Sequence, residues 1–217
     1  MAESDIHDLL SRGKLAEPIE TEQMEMNSTV DKRYLRILLV LGSLLFYHNP
    51  VWFLSLYGVA ALLDGFDGYF ARKLNQCSVF GAWLDVVVDN ISRGFLWCFL
   101  YKWGYAVILI EWLTFVCTHR RGTNWRIPDE SFPLLCKLVM EKGFKTPLGF
   151  LALGGVHCLP IWLYAFGSHF LSDLGLQLWL QYSGILVLVV GRLLALRVEV
   201  FYIMSHVRGM LEETSAH

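Results

Sequence analysis

Residues 62–90 read LLDGFDGYFARKLNQCSVFGAWLDVVVDN, and they decide how the chain is to be understood. One apolar run ends on Asp64 and Asp67, and the next holds Asp85 and Asp89 inside it. At 1.5 Å of rise per residue, Asp64 lies ~20 Å along a helix begun at Val51, while Asp85 and Asp89 lie ~9 to 15 Å along one begun at Val79. If both segments are helices running in opposite directions, the four carboxylates meet at one level. Positions 64, 67, 68, 71 and 72 step by three, one, three and one, so they share a helix face; 81, 85, 89 and 93 share another.

The surroundings of this stretch are apolar. Of 217 residues, 55% are hydrophobic and only 18% charged, where a soluble domain carries about a quarter. Mean hydropathy is +0.44. Apolar runs at about 35–47, 51–63, 79–101, 103–118, 148–170 and 176–203 predict an all-α, polytopic membrane protein with six transmembrane helices. The first two are short for a hydrocarbon core of roughly 30 Å. They are separated only by His48-Asn49-Pro50, a helix-stopping turn. Their missing length is expected from the polar ends, 31–36 and 64–72.

The cations set the orientation. Lys32, Arg33, Arg72, Lys73, Arg120, Arg121, Arg126, Lys137, Lys142, Lys145 and Arg208 fall on one side of this topology, against Lys102 on the other. The positive-inside rule then puts both termini in the cytosol, with Trp52, Trp103 and Trp179 at the far interface. Residues 1–30 hold seven acidic residues and no apolar run. They read as a flexible or interfacial cytosolic segment without a cleavable signal peptide, 31–208 as the six-helix domain, and 209–217 as a short cytosolic tail. A net charge of −2 excludes a nucleic-acid partner, which needs a basic surplus. Five cysteines without a CxxC pair predict neither a disulfide framework nor a zinc site.

Each aspartate alone reads as a solvated helix-end residue or as part of a site. For Asp85 and Asp89, flanked by Trp83, Leu84 and Val86–Val88, exposure to lipid would cost on the order of 2.5 to 3.5 kcal/mol each. Four clustered anions repel unless protons or a metal neutralise them. An all-oxygen set without His or Cys suits a hard cation, Mg²⁺ or Mn²⁺. Gly65, Gly68 and Gly81 leave room for a ligand beside these faces, and Arg72 offers a fork suited to phosphate. Carboxylates, cation, glycine gaps and arginine together describe a diphosphate site.

Asp64-x2-Asp67-Gly68-x2-Ala71-Arg72-x8-Gly81-x3-Asp85-x3-Asp89 resembles, without exception, the signature of the CDP-alcohol phosphotransferases. Leu74-Asn75-Gln76, Phe80-Gly81-Ala82 and Tyr34-Leu35-Arg36-Ile37 are similar to segments of the eukaryotic phosphatidylinositol synthases. The resemblance implies a membrane enzyme of phospholipid biosynthesis. It would move a phosphatidyl group from a CDP-alcohol, CDP-diacylglycerol for preference, to a hydroxyl acceptor and release CMP. It further implies two metal ions shared by Asp64 and Asp85, with Asp67 completing one and Asp89 serving the other. Gly68, Arg72 and Ser78 would contact the CDP-lipid, Ala71 and Gly81 would admit the nucleotide, and Asp89 would be the general base. A homodimer in the endoplasmic reticulum is the implied setting.

The acceptor half departs from that pattern. Asn90 stands where the synthases carry Arg, Asp31-Lys32-Arg33 replaces their Pro and Asn, and the fourth span reads Glu111-Trp112-Leu113-Thr114-Phe115-Val116-Cys117-Thr118-His119. Arg93, one turn past Asp89, either binds the acceptor or neutralises Asp89. Arg192, deep in the sixth run, either contacts the acceptor or phosphate, or snorkels. Glu111 either lines the same cavity or faces a polar partner, and His119, Arg120 and Arg121 read as span-end cations or substrate contacts. Two other readings fit the carboxylates. One is a catalytically silent homologue that binds a CDP-lipid or assists a partner enzyme. The other is a cation transporter, which leaves Arg72 and the glycines without a role.

Overall fold

The computed structural model describes residues 34–73, 79–119, 128 and 132–215, the side chains of 64–73 and 79 excepted. Residues 1–33, and with them the expected N-terminal segment, lie outside the described residues, as does Ser78. The described chain is helical, with no strand among these residues. The helices are α1 (Tyr34–Leu45), α2 (Pro50–Lys73), α3 (Val79–Leu100) and α4 (Gly104–Thr118). They continue with α5 (Leu134–Phe144), α6 (Pro147–His157), α7 (Leu159–Gly167), the one-turn α8 (Phe170–Asp173) and α9 (Leu178–Ser215).

Local chemistry accounts for most boundaries. Between α1 and α2 the Asn49 amide bonds to the Phe46 carbonyl at 2.8 Å. Its side-chain Oδ1 accepts from the Trp52 amide at 3.4 Å, with Pro50 opening α2, where a missing N–H costs nothing. That helix runs unbroken from Pro50 through Asp64, Asp67, Gly68, Ala71 and Arg72, so the polar end does supply length to a short apolar run. Thr146 caps α6, its Oγ1 accepting from the Gly149 amide at 3.1 Å.

One expectation needs correcting, and two further features add to the sequence reading. The run 148–170 is two helices bent by 49° at Cys158, because the ring of Pro160 collides with the carbonyl four residues earlier and donates no hydrogen bond. The connection before it contains α5. Its Cys136, Val139 and Met140 are buried at helical spacing against Phe132, Ala152, Val198 and Tyr202. Near its end, Lys142, Gly143 and Phe144 take φ of 53°, 66° and 68°, which reverses the chain. Finally, α9 continues past residue 208 to Ser215.

The chain forms two compact units. One takes the described residues up to Leu45 together with Leu56–Val88; its buried residues include Arg36, Val40, Ser43, Tyr57, Ala60 and Val88. The other joins Phe46–Ser55 to the chain from Asp89 onward, and α9 is its spine, packed on α4, α5, α6 and α7. The α6–α9 contact is backbone on backbone: a Cβ on Gly155 would collide with the main chain of Gly191 and Arg192, and one on Gly191 with the carbonyl of Leu151. At one end of this unit Tyr47, Phe53, Phe99 and Tyr164 form an aromatic cluster.

Beside an apolar core, several charged and polar groups are buried and many large apolar side chains are exposed. Arg36, Ser43, Asn90, Arg93, Glu111, Thr118, Gln181 and Arg192 are buried, while Leu38, Leu45, Val59, Leu62, Phe99, Leu109, Val116, Leu186 and Leu193 are exposed. Trp52, Trp103 and Trp179 are exposed as well. Among the described residues no single helix is long and apolar enough to cross a membrane; the bent pair α6 and α7 meets that test together.

Candidate functional site

The site is built on the faces that the spacing of four selects. On α3, Gly81 is buried, Asp85 and Asp89 are half-buried, and Arg93 is buried. In the first unit Arg36, itself buried, donates from Nη1 to Asp85 Oδ1 at 2.8 Å. The pair fixes the position of the Asp85 side chain, which keeps 41% of its exposure. The backbone of α2 carries Asp64, Asp67, Gly68, Ala71 and Arg72 along one face; their side chains lie outside the described residues.

In the second unit the chemistry centres on Arg93. Its Nε donates to Glu111 Oε2 at 3.0 Å and its Nη2 to Asn90 Oδ1 at 2.6 Å. Nη1 lies 3.2 Å from His157 Nδ1 and 3.8 Å from Asp89 Oδ2. An arginine only donates, so Nδ1 of His157 accepts and the ring proton belongs on Nε2. Arg192 Nη1 donates to Glu199 Oε2 at 2.8 Å, and its Nη2 lies 3.5 Å from Glu111 Oε1. Glu111 thus bridges two guanidinium groups, and α3, α4, α6 and α9 each contribute to one buried charged cluster. Burying such charges is tolerable only because they are paired.

Among the described residues Arg93 thus donates to Glu111 and lies at longer range from Asp89, and Arg192 pairs with Glu111 and Glu199. Asn90 supports Arg93 through its side-chain oxygen. Two participants went unremarked in the sequence, His157 and Glu199. Glu199 carried a signal, since a carboxylate seven residues after Arg192 lies two turns along the same helix face. His157 carried none, because its partner is on another helix.

A divalent cation suits the donor chemistry that is described. Asp85 and Asp89 are one turn apart on α3, offer only oxygen, and stay 41% and 25% exposed at the side chain, as hard-cation ligands that keep water or substrate oxygens require. Among the described residues no three His, Cys, Asp or Glu side chains converge on one point. Asp64 and Asp67 stand outside that statement.

Comparison with known proteins bears on the same segment. Residues 33–190 match the family model described as CDP-alcohol phosphatidyltransferase. A CDP-diacylglycerol–inositol 3-phosphatidyltransferase of Candida albicans is 47% identical over 68 residues, 31% of this chain and 30% of that protein. One of Schizosaccharomyces pombe is 46% identical over 68 residues, covering 31% and 29%. A CDP-diacylglycerol–glycerol-3-phosphate 3-phosphatidyltransferase of Wigglesworthia glossinidia brevipalpis is 38% identical over 73 residues, covering 31% and 40%. The chain therefore aligns with well under half the length of these relatives. No solved structure matches.

Proposed function

The chain belongs to the CDP-alcohol phosphatidyltransferase family, and from that premise we propose that it moves a phosphatidyl group from CDP-diacylglycerol to a hydroxyl acceptor in phospholipid biosynthesis, releasing CMP. The observation that carries this reading is that the matched region contains all eight signature residues, from Asp64 to Asp89, at their fixed spacing.

Charge on the donor diphosphate would be neutralised by Mg²⁺ or Mn²⁺, two ions held by Asp64, Asp67, Asp85 and Asp89. Gly68, Arg72 and Ser78 bind the donor, with Ala71 and Gly81 small enough to leave space for the nucleotide. Asp89 takes the proton of the acceptor hydroxyl as that oxygen attacks the lipid-bearing phosphorus. The phosphorus–oxygen bond to CMP breaks, and a phosphodiester lipid remains. Arg36 orients Asp85 by their 2.8 Å pair.

The protein works as a six-span membrane enzyme with both termini cytosolic, in the endoplasmic reticulum and as a homodimer. The spans are α1, α2, α3, α4, the bent pair α6 and α7, and the first part of α9. The many exposed large apolar side chains and the burial of Arg93, Glu111 and Arg192 support this, the arrangement lipid favours. Exposed Trp52, Trp103 and Trp179 fit an interfacial belt.

The test is release of CMP by purified protein supplied with Mn²⁺, CDP-diacylglycerol and a panel of alcohols. A new lipid product alongside CMP is the expected result. Metal-dependent donor binding without turnover on any alcohol would show a silent homologue instead.

A further inference from the structure

The connection from α4 to α6 is rich in cations: residues 119–147 hold six Lys and Arg against three Asp and Glu. The helix within it, α5, is apolar on two sides. Cys136, Val139 and Met140 are buried against α6 and α9, while Leu134, Leu135 and Leu138 keep 74%, 42% and 42% of their exposure. Steps of one, three and four put these leucines on one face, which at about 3.6 residues per turn is the side away from the core. No element among the described residues covers them.

Two contacts place α5 at the level of the membrane surface. Only Lys145 and Thr146 separate it from Pro147, where α6 begins. On its other side, about twenty residues at 1.5 Å each cross a hydrocarbon core of roughly 30 Å, so α9, begun at Leu178, leaves that core near Arg197. There the Cys136 thiol donates to the Arg197 carbonyl at 3.9 Å, and Val198 and Tyr202 share the core of α5. Leu148 and Phe150, at the start of α6, are exposed as well.

The charges fit the same level. Lys142, Lys145 and Arg197 are exposed, and the ion pairs among the described residues go to Arg36, Arg93 and Arg192 instead. The turn that carries Lys142 is fixed, because Phe144 packs on the core and Thr146 Oγ1 donates to the Leu138 carbonyl at 3.3 Å. Exposed leucines bordered by uncompensated cations are the makeup of a helix that lies in an anionic interface. At this height the neighbour always present is the leaflet itself.

We propose that α5 is a docking surface for the cytosolic leaflet. Leu134, Leu135 and Leu138 enter the boundary of the acyl chains, and Lys142, Lys145 and Arg197 hold the phosphate-bearing headgroups of anionic lipids. Anchored in this way, α5 fixes the height at which α6 and α9 cross the bilayer. The inference rests on the six-span reading above and is independent of the transfer reaction.

The experiment places the full chain in nanodiscs of phosphatidylcholine, or of phosphatidylcholine mixed equally with phosphatidylserine, and reads amide hydrogen exchange by mass spectrometry. Phosphatidylserine should slow exchange over 134–144 roughly tenfold, and high salt should reverse the effect. Lys142→Glu with Lys145→Glu should abolish the response to phosphatidylserine and leave α6 unchanged. Leu134→Gln with Leu138→Gln should speed exchange of α5 in both lipids. Equal exchange of α5 in the two lipids overturns the proposal and assigns the leucines to a protein partner. A response that survives high salt in the unmodified chain overturns it without recourse to any variant. Free exchange over 178–197 means that the six-span reading has failed, whereas protection there beside an indifferent α5 overturns this proposal alone.

Discussion

Arg93 on α3 and Glu111 on α4 meet at 3.0 Å, and neither side chain keeps as much as a tenth of its exposure. The contact joins the helix that carries Asp85 and Asp89 to a helix with no signature residue. Through Glu111 it continues to Arg192 and Glu199 on α9.

Breaking this pair from one side should be worse than removing it. Glu111→Ala takes from two buried guanidinium groups the carboxylate they share, and a loss of roughly 3–5 kcal/mol is expected. Replacing Arg93 and Glu111 together with Met and Leu should cost less than either single change. Thermal unfolding in a fixed detergent gives the order, and a double variant less stable than both singles would contradict it.

Asp89→Asn keeps the volume of the side chain and removes its basicity. Transfer should fall by about 10²-fold or more, with CDP-diacylglycerol binding retained. Equilibrium binding of the labelled donor, run beside the CMP assay, separates these effects. Residual turnover near the unmodified rate would remove Asp89 from the role of base.

Gly155 and Gly191 let α6 and α9 touch through their backbones. Gly155→Ala or Gly191→Ala must force the helices apart, and overpacking of this kind costs about 1–3 kcal/mol. Gly167→Ala, where a Cβ meets nothing within 4 Å, is the control, and its melting temperature should stay near that of the parent chain.

Cys136 is fully buried on α5, and desolvation pushes its thiol above the ordinary cysteine pKa. The neutral thiol is the form the fold accommodates. Its contribution to stability is complete below the unfolded pKa of about 8.5 and is lost as pH rises above that value. Maleimide labelling of Cys136 in the native protein should therefore stay slow through pH 8, and become fast only on unfolding. Rapid native labelling at pH 7 would contradict the burial.

Much of the helical geometry around the candidate residues was legible in the chain itself. Spacings of three and four place Asp64 and Asp67 on one face of α2, and Asp85 and Asp89 on one face of α3. Pro50 and Asn49 mark where one helix gives way to the next. These are local relations, set by the pitch of a helix and the chemistry of a cap, so periodicity reveals them. The family followed from the same fixed spacing. The bend at Cys158 was also within reach, since Pro160 forces it, but an unbroken apolar run outweighed that single residue.

What composition and period could not decide is which charges meet. Arg93 has Asp89 one turn away on its own helix, at 3.8 Å, yet among the described residues it donates at 3.0 Å to Glu111, brought over by the packing of α4. Arg36 reaches Asp85 across 49 positions of chain, and Arg192 shares Glu111 with Arg93 through the packing of α9 on α4. A buried charge takes the partner that the fold delivers, and that choice depends on distances between helices, which no pattern along one helix encodes. The sequence therefore determined the family and the carboxylate faces. Tertiary packing alone decided that the buried arginines would be neutralised.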